Sequence, residues 1–170
     1  MALACETTAS PGGVKRSEMW LRPVREETHM ASKEQTQPSE IGRNPWGVIL
    51  HHQDWRTLEL RWLPVDMTDA DFEETLTLFA ELGEQHHPQW MIIDATEFHH
   101  EFGPGVMEWR DRNIIPRYSA AGVKKFAFLV NPGFPGTVES GAQPAAEGSA
   151  RFPTGWFSTR ERAYQWLADN

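Results

Sequence analysis

Cysteine is almost absent from this chain: Cys5 is the only one in 170 residues. A single thiol makes neither a disulfide framework nor a thiolate metal site, and it fits a reducing, cytoplasmic setting. Long apolar runs are missing too. None approaches the roughly 18 to 20 residues that a membrane helix needs, and the N-terminus lacks the apolar core of a signal peptide, so neither a membrane span nor export is expected. Positive charge is in deficit, with 16 Lys and Arg against 24 Asp and Glu and a formal net charge of −8. That balance repels phosphate backbones and anionic lipid surfaces and argues against nucleic acid as a partner. No internal repeat is found.

Apolar and aromatic residues are plentiful: 39% of the chain is hydrophobic, with eight Trp and nine Phe, enough for the core of one domain. Residues 1–44 read as a disordered tail, with Thr7-Thr8-Ala9-Ser10-Pro11-Gly12-Gly13 and Ser32 to Glu40 too polar and broken to offset the entropy of ordering. Within that tail Met19, Trp20, Leu21 and Val24 can form a short packing or binding helix, and Met30 is an alternative start. The body is 45–170.

In the body, Val48, Leu50 and His52 alternate with Gly47, Ile49 and His51, and Leu58, Leu60 and Trp62 alternate with Glu59 and Arg61. Period-two alternation marks two strands, joined around Gln53-Asp54-Trp55-Arg56 as a hairpin. Thr68-Asp69-Ala70-Asp71 supplies a helix cap and first-turn acids, and Phe72, Leu76, Phe79 and Leu82 or Gly83 form one buried stripe on a helix ending near Gly83. Trp90 to Ala95 is apolar on successive positions, as in a central strand covered on both faces. Gly105 to Tyr118 is helical with an interruption at Ile115-Pro116, Lys124 to Val130 is a strand, and Asn131 to Thr154 is a long loop with a brief helix near Pro144 to Glu147. Gly155-Trp156-Phe157 adds an edge strand, and Ser158-Thr159-Arg160-Glu161 reads as a capping box before a helix that buries Ala163, Trp166 and Leu167. The expected fold is a single α/β domain, a mixed sheet of four to five strands with helices packed on it, in the order β-β-α-β-α-β-(β)-α.

This order resembles the STAS-like, anti-anti-sigma-factor-like domains, and within them small uncharacterised STAS-like proteins. The resemblance covers residues 46–168: the opening hairpin, the capped helix at Thr68, the strand ending in Asp94, Gly122-Val123-Lys124-Lys125-Phe126-Ala127-Phe128, and the ending Trp156-Phe157-Ser158-Thr159-Arg160-Glu161-Arg162-Ala163-Tyr164-Gln165-Trp166-Leu167. It implies a non-catalytic module that binds a ligand or a protein partner. Signalling members carry a phosphorylatable Asp-Ser at the start of the helix after the central strand, where a phosphate repels the partner kinase. The matching stretch here is Glu101-Phe102-Gly103-Pro104-Gly105, without a hydroxyl, so no phosphoserine switch is expected.

Ligands of open α/β sheets collect beyond the carboxyl ends of strands, which directs attention to Asp94-Ala95-Thr96-Glu97-Phe98-His99-His100-Glu101-Phe102-Gly103-Pro104-Gly105. Asp94, Thr96, His99, His100, Gly103 and Gly105 are candidate ligand-binding positions. The alternative to a binding module is a small enzyme using His99, His100 or Glu101 in proton transfer, since an imidazole beside a carboxylate titrates near neutrality. Arg110 and Arg117, seven apart, can share a helical face and grip a carboxylate or phosphate beside Trp109 or Tyr118; the plainer alternative is a solvated helix with a Glu108 to Arg112 pair. Phe134, Phe152 and Trp156 can close an apolar pocket over Thr96 and His99. The pairs His51-His52, His86-His87 and His99-His100 lack the spacing that aims two rings at one ion, so no metal and no cofactor are expected. Eight Trp in so small a chain also raise a homodimer as a hypothesis.

Overall fold

Residues 37–169 are described in the computed structural model; Cys5, the Met19 to Val24 stretch and Met30 lie outside them. Their order is β1 Ser39–Arg43, β2 Gly47–His52, β3 Thr57–Trp62, α1 Asp69–His86, β4 Trp90–Asp94, α2 Val106–Asn113, α3 Ile115–Ala120, β5 Lys125–Leu129, β6 Ala145–Ala146, β7 Pro153–Phe157 and α4 Arg160–Ala168. The strands form one seven-stranded sheet in the order β1-β2-β3-β4-β5-β7-β6. β1, β2 and β3 pair antiparallel, β3, β4, β5 and β7 run parallel, and β6 returns antiparallel on β7. The α/β class and the mixed sheet are as expected, with two strands more than the four to five anticipated.

The first extra strand, β1, lies within the stretch assigned to the tail. Its sequence, Ser-Glu-Ile-Gly-Arg, carries one aliphatic side chain, so the hydrophobic pattern alone does not mark it. What holds it is backbone pairing with β2 and a close approach to α1: a Cβ on Gly42 would come within 2.6 Å of Leu82 Cδ1. The second, β6, replaces the brief helix expected near Pro144 to Glu147. Four residues are too few to nucleate a stable helix, whereas the open edge of β7 offers partners to Ala145 and Ala146. That pairing takes β7 away from the edge.

Alternation in the strands sorts the core. Leu58, Leu60 and Trp62 of β3, Met91 and Ile93 of β4 and Phe126 of β5 face α1, α2 and α3, where Phe72, Leu76, Phe79, Ile114 and Tyr118 complete the larger cluster. Ile92, Ala127, Leu129 and Phe157 face the other way and pack on Ala163 and Leu167 of α4. α1 starts on a capping box in which Thr68 accepts from the Asp71 amide and Asp71 accepts from the Thr68 amide. It ends one turn beyond Gly83, where His87, at φ 46°, donates its amide back to the Gly83 carbonyl. α4 is capped by Thr159, whose hydroxyl accepts from the Arg162 amide, and not by Ser158 as the capping-box spacing suggests. The helical segment after Gly105 breaks at Ile114 into α2 and α3, with Pro116 in the first turn of α3 where its missing N–H costs nothing.

Candidate functional site

The loop after β4 is anchored at both ends. Asp94 Oδ1 accepts from the Thr96 hydroxyl at 2.6 Å and from its amide at 3.2 Å, an Asx turn that ends the strand. Asn131, just after β5, donates to the Thr96 carbonyl at 2.8 Å and ties the two loops together. Further along, Asp69 in the first turn of α1 takes the His100 ring at 2.7 Å and the Gly103 amide at 3.2 Å. The bond from His100, then that from Gly103, holds the Asp69 carboxyl below the usual carboxylate range. Gly103 is required at this close approach, since a Cβ there would lie 2.5 Å from Asp69 Oδ2.

Held in this way, the loop turns Phe98 and Phe102 onto the buried pair Trp62 and Phe72. The ring centroids of Trp62 and Phe72 are 5.5 Å apart, Trp62 and Phe98 5.1 Å, and Phe72 and Phe102 4.7 Å. A second aromatic wall stands opposite. Phe128 of β5 and Trp156 of β7 are register partners on parallel strands, and their rings stack at 4.2 Å with 11° between planes. Phe134 continues the stack onto Trp156 at 5.5 Å and 14°. Between the walls lies a cleft of about 360 Å³, floored by Leu76 and Ile93 and flanked by Met107 and Arg110 of α2. That size lies within the range of small-molecule sites. Phe102 and Phe134 are 39% and 44% exposed, so both walls reach solvent.

The cleft has three polar side chains, His100, Arg110 and Asn131, and each is engaged: His100 by Asp69, Asn131 by the Thr96 carbonyl, and Arg110 through Nε and Nη2 by Asp111. The site is therefore an aromatic slot with a fixed polar rim.

Of the positions expected from sequence, His100, Arg110, Phe134 and Trp156 line this cleft. Gly103 shapes its loop, and Gly105, at φ 86°, starts α2. The others are placed differently. Asp94 turns to the opposite face of the sheet, where it takes Arg160 at 2.7 Å. Thr96 serves the Asx turn, and His99 and Glu101 are exposed. Trp109 packs on the larger core cluster. Arg117 does not line the cleft with Arg110; it forms a two-point ion pair with Glu84 at 2.6 and 2.7 Å. Phe152 is buried in the core and does not line the cleft. Trp62, Phe72, Phe98, Phe102 and Phe128 were not anticipated. The available signal is an aromatic at or near the carboxyl end of β3 and β5.

The α4 face carries a polar cluster that sequence reading also missed. Glu59, with no exposed surface, accepts from His52 Nε2 at 2.8 Å, Arg61 at 3.0 Å and Arg160 at 2.7 Å. Burial alone would raise its pKa, but the hydrogen bond from His52 and the charge and hydrogen bond of Arg160, with Arg61 nearby, bring it down to about 2. The Arg160 guanidinium thus spans β3 and β4 from the first turn of α4. Tyr164 beside it is pushed up to about 12, first by burial and then by the Glu59 charge.

The His51-His52 pair diverges as strand geometry requires: His52 faces Glu59, while the His51 ring lies 4.8 Å from His86 on the other face. Burial, then the neighbouring His86 and His52, lowers the pKa of His51. Among the described residues no group of three or more His, Cys, Asp or Glu side chains is placed to hold a metal ion, and no helix is long and apolar enough to cross a membrane. Comparison with protein-family models, with curated proteins and with solved structures returns no match.

Proposed function

We propose that this chain is a non-catalytic, STAS-like regulatory module that binds a small apolar or amphipathic molecule between its two aromatic walls. The observation that carries the reading is the cleft itself. It is concave and aromatic on two sides, lies beyond the carboxyl ends of β3, β4, β5 and β7, and has polar groups only at fixed rim positions. A protein partner, the other occupant that the STAS resemblance allows, is less well matched to a slot than to a broad face. The stretch Glu101 to Gly105 carries no hydroxyl, which supports a module without the phosphoserine switch. A cytoplasmic setting, argued from the lone Cys5, belongs to the same proposal.

The tryptophan content that raised a homodimer finds uses within the chain. Trp62 is buried, Trp46, Trp90, Trp109 and Trp166 pack against the two clusters, and Trp156 stacks in the cleft. A monomeric mass in light scattering at micromolar concentration would remove the dimer hypothesis.

A thermal-shift screen tests the binding reading, because a ligand that binds only the folded state at a hundred times its Kd adds about 2.7 kcal/mol of stability. Apolar and amphipathic compounds should raise the melting temperature of wild type and act less on Phe134→Ala. A screen in which such compounds leave the melting temperature unchanged, or shift both proteins equally, would contradict the reading.

One observation supports a second reading, the small enzyme. His100 is oriented by Asp69 and lines the same cleft as Arg110, an arrangement suited to proton transfer. Its test is mass spectrometry of a cleft ligand incubated with wild type and with His100→Ala. Conversion by wild type alone would support it, and an unchanged ligand in both would refute it.

A further inference from the structure

Tyr118, on α3, is 2% exposed, and its hydroxyl is the one buried side-chain polar atom without a hydrogen-bond partner among the described residues. Native interiors rarely leave such a group unpaired, and an orphan donor calls for a partner that arrives from outside the chain. Its ring is fixed, stacked on Phe126 at 5.5 Å and edge-on to Phe79 at 5.8 Å, so the hydroxyl cannot swing out to water.

Tyr118 borders a chamber of about 30 Å³. Leu76, Ile93, Arg110 and Phe128 line both this chamber and the aromatic cleft, so the chamber adjoins the slot. A space of that size is enough for a water-sized group. Its chemistry favours a neutral acceptor over an anion. Arg110 is already neutralised by Asp111 at 2.5 Å, and Glu147, which accepts from the Trp156 indole at 3.4 Å, adds negative charge to the same lining. A carboxylate pushed inward would lose its hydration and meet no uncompensated cation. Burial lifts the Tyr118 pKa far above its ordinary value, so the phenol stays protonated and is a donor.

We propose that Tyr118 is the recognition group of the cleft, donating its hydroxyl to the carbonyl oxygen of a neutral ketone, aldehyde or ester whose apolar chain lies between the aromatic walls. This rests on the binding reading above and adds the chemical class and the orientation of the ligand, carbonyl inward. The apolar tail then leaves past Phe134 and Phe102.

Calorimetric titration with methyl octyl ketone, with its isostere in which C=CH₂ replaces C=O, and with decanoate tests this in wild type and Tyr118→Phe. Removing an unpaired buried hydroxyl leaves folding intact or improved, and the melting temperature of the variant checks that. Wild type should prefer the ketone to the alkene by roughly tenfold. Tyr118→Phe should bind both alike, with alkene affinity unchanged. Infrared spectra of carbon-labelled ketone should show the bound carbonyl stretch lowered in wild type and not in the variant. Equal affinity for ketone and alkene in wild type, or a preference that survives in Tyr118→Phe, would overturn the proposal while the cleft reading stands. Decanoate binding more tightly than the ketone would overturn the neutral class. If none of the three binds wild type, the cleft reading falls together with this one.

Discussion

Glu59 and Arg160, 101 positions apart in the chain, meet at 2.7 Å on the face of the sheet that carries α4. Arg160 reaches Asp94 with its other terminal nitrogen at 2.7 Å, so one guanidinium fastens the last helix to two adjacent strands. A fully buried carboxylate held by three donors resists protonation, and that resistance is a stability term.

The folded pKa of Glu59, about 2, is depressed below its ordinary value of 4.5. The stabilisation is therefore complete above about pH 4.5 and is lost as pH falls toward 2. At neutral pH it is on the order of 3 kcal/mol. Denaturant melts between neutral pH and pH 2 should show wild type losing stability in that window. Glu59→Gln should be less stable at neutral pH by about 3 kcal/mol, because Arg160 and His52 lose a charged partner, with a flatter acid limb. An equal slope in both proteins would mean that Glu59 is not the titrating group.

Thr68 caps α1, and the first turn of α1 holds the cleft loop through Asp69. Thr68→Ala removes the hydroxyl that accepts from the Asp71 amide, while the Thr68 amide can still donate to the Asp71 carboxylate, and should cost about 1 kcal/mol in a urea melt. A variant as stable as wild type would show that the cap is not in use.

Gly103→Ala places a methyl group 2.5 Å from Asp69 Oδ2. Either the carboxylate or the loop must yield, so the bonds from His100 and Gly103 weaken and the depressed pKa of Asp69 should rise toward the ordinary carboxylate value. Carbon-detected NMR titration of the Asp69 carboxyl reads this directly. An unmoved titration would show that the loop absorbs the methyl group without releasing Asp69.

Phe134 separates binding from stability, because at 44% exposure its removal should change folding stability by no more than about 0.5 kcal/mol. It is also the outer leaf of the Phe128–Trp156 stack. Phe134→Ala should weaken binding of methyl octyl ketone several-fold with the melting temperature preserved. A large loss of stability would make Phe134 a packing residue instead.

The elements that periodicity defines well are those whose burial is local. Phe72, Leu76 and Phe79 recur on one helical face, and Met91, Ile92 and Ile93 are apolar on successive positions because both faces of β4 are covered. Where pairing or partners come from far along the chain, the pattern misleads. Ser39–Arg43 has few apolar side chains yet is a strand, because β2 supplies backbone partners. Glu59 occupies the polar position of an alternating strand and reads as solvent-facing, yet α4 covers it. The site divides in the same way. The strand-end rule finds His100, and two arginines on the next helix find Arg110. The walls come from β3, α1, β5 and β7, and only the folded sheet brings Trp62 and Phe72 opposite Phe128 and Trp156. Asp94, the most prominent acid of the loop, faces away because a strand's last residue obeys the strand's alternation.

Fluorine NMR of protein labelled with fluorotryptophan is the most direct test of an aromatic cleft that binds a small molecule, since Trp62 and Trp156 line it while Trp55 and Trp166 lie on the α4 side. Resonances are assigned by single Trp→Phe variants, and methyl octyl ketone is titrated in. The Trp62 and Trp156 signals should move together and saturate at one equivalent while those of Trp55 and Trp166 stay fixed. Unmoved Trp62 and Trp156 signals, or shifts confined to Trp55 and Trp166, would contradict a ligand site between these walls.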